Sequence, residues 1–491
     1  MKRNTFQNRI RPSAGAGLRG LARLSPIVLS AGLLTACAVG PDYQRPEKPL
    51  PAGFANAAPA EFSDRAVEIG WWKTFNDAQL SALVDQTLQH NFDLKAARAN
   101  LAEARALYLE TGLNLLPTVT SHANYTEQKR STGSLNNRAF VPRELKLYNT
   151  GFDASWELDF FGRVRRNVEA SSDEVEALDA GLRDVGVSLI AEVARNYFEL
   201  RGLQHQLAVA RQNADNQAQT LALTQAKVEN GRGTELDTAR ALAQLEATRA
   251  GIPSLESAMM QTVHRLGVLS GQLPAALTES LTQPLPLPKA PDTLRIGNPE
   301  QLLKRRPDIR IAERNLAAAT ARIGVATADL FPRVTFVGSI ALEASTLSAI
   351  VAPGSESYSV GPRISWAAFD LGRVYARIKA ADARAEASLA NYEQTVLNAL
   401  EETENALVNY NRERARRALL VNAAQASAKA RELAQLRYRE GIADFLTVLD
   451  SEARLLQDQS QLAQSETATA TALTAVYKAL GGGWQVLEAD S

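Results

Sequence analysis

Cysteine is nearly missing from this 491-residue sequence: Cys37 stands alone, so no internal disulfide can staple the fold. Histidine is almost as scarce. His90, His122, His205 and His264 are scattered without metal-ligand spacing, and after residue 36 there is no nucleophile motif and no phosphate-binding glycine loop. These gaps speak against an enzyme. Methionine is confined to Met1, Met259 and Met260, which gives a thioether-based copper relay no support. Beyond residue 36 no apolar run reaches the eighteen or so residues of a transmembrane helix. Acid is absent from the first 36 residues, where Lys2, Arg3, Arg9, Arg11, Arg19 and Arg23 stand unopposed, and 48 basic residues then face 54 acidic ones. That balance does not suit a surface that neutralises phosphates, so nucleic acid is set aside as a partner.

What is present begins with the amino terminus. The basic segment leads into the apolar run "IVLSAGLLTA" and then Cys37, which is signal-peptide grammar. The sequence "LTAC" (Leu34 to Cys37) resembles the bacterial lipobox, in which a peptidase cuts before a cysteine whose sulfur has received a diacylglycerol. The resemblance implies a signal peptide over residues 1–36 and an N-terminal acyl lipid on Cys37. Ala38 follows rather than aspartate, which in such lipoproteins favours the outer membrane. One acyl chain anchors marginally and several anchor stably. "GAGLRG" at 15–20 fits a dinucleotide fingerprint, but no strand precedes it and it lies inside the leader. Residues 37–70 read as an acylated tether, rich in proline and alanine over 38–60.

The remainder says most things twice. "NFDLKAARANLAEARA" (91–106) returns as "RPDIRIAERNLAAATA" (306–321) at an offset of 215, and "LPTVT" (116–120) returns as "FPRVT" (331–335). "WELDFFGRV" (156–164) matches "WAAFDLGRV" (366–374), and "VENGRGTEL" (228–236) matches "YREGIADFL" (438–446), both at an offset of 210. Two copies of one architecture follow, over 71–290 and 291–485. From Arg163 to Asn230 there is no proline, and Val168, Val175, Leu182 and Leu189 recur every seven residues. After a step of four the seam resumes at Val193, Leu200, Leu207, Ala214, Leu221 and Val228. This is a coiled-coil seam with one stutter, and a helix of that length spans about 100 Å. The second copy runs from Arg373 to about Tyr438, with Leu389, Val396, Leu400, Leu407 and Tyr410 on the spacing. Each long helix turns and returns, making coiled-coil hairpins over 163–270 and 373–480.

Ahead of each long helix the texture changes to alternation, over 117–158 and 332–368. Tyr148, Phe152, Ala154, Trp156 and Leu158 share one parity, and in the second copy Tyr358, Val360, Ile364 and Trp366 are in phase. Strands of about ten residues with aromatic ends suit a membrane-spanning barrel. Pro362 sits awkwardly among them, because it donates no hydrogen bond. Four strands per chain cannot face lipid with open edges. Three chains would supply twelve strands, whereas two would supply eight and fill their own interior.

On these residues the sequence resembles the outer-membrane lipoproteins of resistance-nodulation-division efflux systems, within the TolC-like superfamily. The resemblance is carried by 71–106, "RRPDIRIAERNLAAATARIGVATADLFPRVTF" (305–336) and "RYREGIADFLTVLDSE" (437–452). It implies a mainly α, mixed fold: a homotrimer with a twelve-stranded β-barrel in outer-membrane lipid and a long periplasmic α-helical barrel. It implies as partners a periplasmic adaptor and an inner-membrane pump of that class, and no cofactor beyond the acyl lipid. Matched to the family, Tyr438, Leu446 and Asp450 take the roles of a periplasmic gate. Asp450 would form a ring of three carboxylates that repel one another and favour cations. Some relatives carry a second aspartate where this chain has Thr447. Gly231 and Gly441 are expected to turn the helix hairpins at the tips that meet the adaptor, with Thr234 and Asp444 capping the returning helices. "RPDI" (306–309) reads as helix-start chemistry, and Trp71 and Trp72 as packing for the tether. A passive export duct fits best; the alternative is a lipid-anchored periplasmic coiled-coil adaptor without a pore.

Overall fold

The computed structural model describes residues 38–46, 49–57, 62–131, 133, 142–291 and 293–489. The signal segment and Cys37 therefore lie outside the described residues, as do residues 134–141. In chain order the elements open with β1 (Phe62–Ser63), α1 (Ala78–His90), α2 (Phe92–Leu113), β2 (Thr118–Lys129), β3 (Glu144–Leu158), α3 (Arg163–Glu229) and α4 (Glu235–Leu269). They continue with β4 (Leu294–Arg295), α5 (Pro299–Arg305), α6 (Pro307–Ala328), β5 (Arg333–Ala344), β6 (Glu356–Ser365), α7 (Leu371–Arg439) and α8 (Phe445–Ala479). Helices α2 and α6 are both 22 residues long, and α4 and α8 both 35. The starts of these pairs differ by the sequence offsets of 215 and 210. Helices α3 and α7 run for 67 and 69 residues. No described helix is long and apolar enough to cross a membrane.

The chain forms two compact units, and neither follows the sequence halves. The first takes residues up to Tyr43, Tyr108–Ser171 and Ala318–Ala385; the second takes Gln44–Leu107, Ser172–Ala317 and Glu386–Ser491. Each copy of the repeat therefore contributes to both units.

The first unit is built on a four-stranded antiparallel sheet in the order β2-β3-β5-β6. The two hairpins join through β3 and β5, which among the described residues leaves β2 and β6 with a neighbour on one side only. Strand β6 runs through Pro362 without a break, opposite Phe336. An edge strand is where a sheet tolerates a residue that cannot donate. At one end of the sheet two equivalent tryptophans are tied down: Trp156 donates Nε1–H to the Leu115 carbonyl at 2.9 Å and Trp366 to the Leu330 carbonyl at 3.0 Å. There Phe161 stacks on Phe331, with ring centroids 4.4 Å apart. Small residues let α3 meet α6 closely, Ala170 being buried against Ala318 and Ala321.

The second unit has the chain's main apolar core. Trp71 and Trp72 lie at its centre, both fully buried, in company with Leu80, Tyr197, Phe198, Val263, Leu266, Leu473 and Tyr477. Trp71 stacks on Tyr477 at 4.7 Å, and burial pushes the Tyr477 hydroxyl up to about 12. The tryptophan pair thus anchors the unit itself, beyond the tether-packing expected from sequence. The tether is also more fixed than its composition suggests: Phe54 is buried, and the Glu404 carboxylate accepts from the amides of Ala55 and Asn56 at 2.8 and 3.1 Å. "RPDI" is structural. Arg306 donates to the Ala479 carbonyl at 2.6 Å and to Asp308 and Glu402 at 2.7 Å, while Asp308 accepts from the Ile309 amide.

Candidate functional site: the two-faced sheet and the helix tips

Residues that oppose one another across an antiparallel ladder share a face, so the register sorts the sheet. Phe152 lies between Ser121 and Ile340, and Ile340 opposes Tyr358; Trp156 opposes Phe336; Tyr125 opposes Tyr148. Val119, Tyr125, Phe152, Trp156, Phe336, Ile340, Tyr358, Val360 and Ile364 all fall on this one face, and all are exposed. Water is a poor solvent for such a surface, and a contiguous apolar patch of this kind marks contact with something apolar. From Trp156 to Tyr148 is eight residues along β3, or about 26 Å, close to the height of an apolar band between aromatic girdles.

The other face is polar. It carries Thr118, Thr120, His122, Asn124, Asn149, Asp153, Ser155, Thr335, Ser339, Glu343, Ser359 and Arg363. His122 Nδ1 lies 2.8 Å from the Asp153 carboxylate, Asn149 donates to Glu343 at 2.8 Å, and the hydroxyls of Ser339 and Ser359 are 2.9 Å apart. A sheet that is apolar on one side and polar on the other has the amphipathic pattern of a barrel wall that faces lipid without and water within.

In the second unit the helix hairpins end as their glycines require. Gly231 and Gly441 adopt φ of 69° and 78°, a left-handed conformation that other residues resist. At each, two bonds satisfy the last carbonyls: the Gly231 amide donates to Val228 and that of Arg232 to Lys227, and the Gly441 amide to Tyr438 and that of Ile442 to Arg437. The returning helices start on side-chain caps. Thr234 accepts from the Asp237 amide at 3.2 Å, and Asp444 from the Thr447 amide at 3.0 Å and hydroxyl at 2.7 Å. Those bonds, the Thr447 hydroxyl first, hold the Asp444 carboxyl below its usual range. Thr447 thereby serves the cap.

Leu446 and Asp450 lie one turn apart on one exposed face of α8, Leu446 being 53% exposed. Tyr438 does not join them. Its ring is 6% exposed, packed against Phe445 at 5.6 Å among Ala241, Ala434 and Val448. Lys227 Nζ sits 3.9 Å from the ring centroid and donates to the Tyr438 carbonyl at 2.6 Å. Burial, and then the nearby Asp237 charge, push the Tyr438 hydroxyl up.

Apolar spacing alone does not reveal the polar seam of this region. Between α3 and α8 the buried seam turns polar toward the tips: Asn213, Gln217, Thr220 and Thr224 are all buried. Asn213 donates to Gln459 at 2.8 Å. Thr220 and Gln435 donate to Glu452 at 2.7 and 2.8 Å. Glu452 is only 4% exposed. The signal in the sequence is the row of polar residues at helical spacing beside the apolar heptads.

A lipid-compatible sheet with free edges, carried with long helices in coiled-coil hairpins, defines the class of membrane-embedded exit channels. Residues 83–272 and 298–482 match the family described as outer membrane efflux protein. The chain belongs to that family. It is similar to nodulation protein T of Rhizobium leguminosarum bv. trifolii, at 31% identity over 92% of this chain and 96% of that one. It is likewise similar to the cation efflux system protein CusC of Escherichia coli, at 33% identity over 92% and 97%. The solved structure of the outer-membrane channel OprN is 44% identical, with a TM-score of 0.86, covering 91% of this chain and all of that one. The protein is an outer-membrane component of an efflux system, extending into the periplasm.

Proposed function

We propose that three copies of this chain close a twelve-stranded barrel in the outer membrane and act as a passive duct, while the energy is supplied elsewhere. The single observation that carries this is the sheet: its apolar face is exposed and, among the described residues, both of its edge strands lack a second neighbour, a state lipid does not permit until β2 of one copy meets β6 of the next. The polar face then lines the lumen. A lipid-anchored adaptor without a pore leaves such a sheet without a role. The two sets of matching helices are read as a tandem duplication, and Cys37 as the acylated first mature residue.

The tips supply the remaining parts. Leu446 and Asp450, exposed together on α8, converge on the three-fold axis as the gate, and Tyr438 sets their position from within the tip. The exposed turns at Gly231, Thr234, Gly441 and Asp444 offer the docking surface for a periplasmic adaptor, which links the duct to an inner-membrane pump of the resistance-nodulation-division class. The mature protein, extracted in mild detergent and weighed by native mass spectrometry, is expected to be a trimer that forms discrete channels in planar bilayers. A monomer that remains soluble without detergent and conducts nothing would refute the duct.

A further inference from the structure

Residues 38–42 directly follow Cys37, and they are not loose. The Val39 amide donates to the Phe161 carbonyl at 3.1 Å. Arg166, whose side chain is almost entirely buried, donates to the carbonyls of Val39 (3.3 Å) and Gly40 (3.4 Å) and to the Asp42 carboxylate (2.6 Å). Its remaining described bond goes to Glu169 at 2.8 Å. Without the segment, a buried guanidinium would keep one carboxylate partner and lose three acceptors, which is costly for a charge shielded from water.

Glycines close the seat on both sides. A Cβ added at Gly40 would stand 2.4 Å from Gly324 Cα, one at Gly324 would stand 2.9 Å from the Val39 carbonyl oxygen, and one at Gly162 would stand 2.7 Å from Ala38. Gly40 and Gly162 also have φ of 93° and 80°, where a side chain is strained in any case. Backbone rests on backbone at each contact.

We infer that Gly162, Arg166 and Gly324 form a docking site for the chain's own processed N-terminus. The site holds Ala38 and Val39 beside the junction of β3 and α3, at the end of the sheet where Trp156 is tied to Leu115. This goes beyond the reading of Cys37 as the acylated first mature residue, and rests on it for what the site positions. A lipid on a free tether samples any place its reach allows, whereas a lipid on a seated segment enters the membrane at one point per chain. The segment also braces the turn into α3, because Phe161 and Gly162 are both covered by it.

The test is amide hydrogen exchange, read by mass spectrometry on the full mature protein in lipid nanodiscs. The Val39 amide is expected to be protected in the native protein and to exchange at least about tenfold faster in Gly40→Val and Gly324→Leu. Amides of β3 should keep their rates. Gly40→Val lies outside every helix and strand, so its effect does not depend on whether Gly324→Leu disturbs α6. Native exchange at Val39 as fast as in an unstructured peptide, or rates unchanged by both substitutions, would overturn the inference. The mass of the N-terminal peptide separates the two readings: a protected Val39 released by Gly40→Val, on a chain whose Cys37 carries no acyl group, removes the lipid reading and upholds the docking site.

Discussion

The face assignment of the sheet can be tested with two substitutions one residue apart. Ile340 opposes Phe152 and Tyr358, and its face carries Trp156 four residues away in one direction along β3 and Tyr148 four residues away in the other. At 3.3 Å per residue that places Ile340 about 13 Å from each aromatic girdle, near the middle of the apolar band. It is 72% exposed in the single chain, so the described residues leave it open to its surroundings. Ile340→Arg should therefore cost about 2–4 kcal/mol per chain, roughly a 30- to 1,000-fold loss in the folding equilibrium. Ser339 opposes Asp153 and Ser359 on the other face. Ser339→Arg should leave stability within about 1 kcal/mol and act on conductance by adding a cation to the lumen. Guanidinium unfolding in lipid vesicles reads the first effect and planar-bilayer recording the second. If Ser339→Arg destabilises as strongly as Ile340→Arg, or if Ile340→Arg has no effect, the sheet does not face lipid as argued.

Three further expectations follow from the helical region. Asp450→Ala or Leu446→Ala should loosen the closed tip and raise single-channel conductance, and unchanged conductance in both would remove them from the gate. Glu452→Ala strips the acceptor from Thr220 and Gln435 and should cost about 1–3 kcal/mol in guanidinium unfolding; Glu452→Gln keeps an acceptor and should cost less, so equal losses would contradict the seam. The Glu466 hydrogen bond raises His205, and His205 in turn lowers Glu466. Protonated His205 thus stabilises fully below its usual 6.5, and that contribution fades as pH climbs through the raised value; ionised Glu466 stabilises above 4.5 and fades as pH falls through its lowered value. The stability gap between the native protein and His205→Gln should be widest between these limits and shrink as pH climbs through the raised His205 value, and a gap that does not shrink on the alkaline side would refute the pairing.

Helix ends were legible because glycine and cap residues act locally: Gly231, Thr234, Gly441 and Asp444 dictate their turns whatever surrounds them. The parity of the strands was legible too, since period-two alternation fixes which residues share a face. Which stripe of a long helix meets a neighbour is a different matter. Apolar heptads marked Ala214, Leu221 and Val228, but Asn213, Gln217 and Thr220 beside them are the more deeply buried, and only the partner helix with Glu452 and Gln459 decides that. Likeness to a family suggested Tyr438 as part of the gate beside Leu446 and Asp450, but that its ring packs on Phe445 and Lys227 within the tip is legible only from the fold. The seated tether was invisible for a similar reason, because the closeness of Gly40 to Gly324 appears only once α6 is in place.

The two copies solve one demand with different chemistry. The Leu269 carbonyl at the end of α4 is taken by the neutral amide of Asn91 at 3.0 Å, and the equivalent Ala479 carbonyl at the end of α8 by the guanidinium of Arg306 at 2.6 Å. Because Arg306 also binds Asp308 and Glu402, the joint of the later half rests on a charge network, whereas a neutral amide holds the matching carbonyl of the earlier half. Loss of either carboxylate would therefore disturb one joint and spare the other, which makes the two halves mechanically unequal despite their similar sequences.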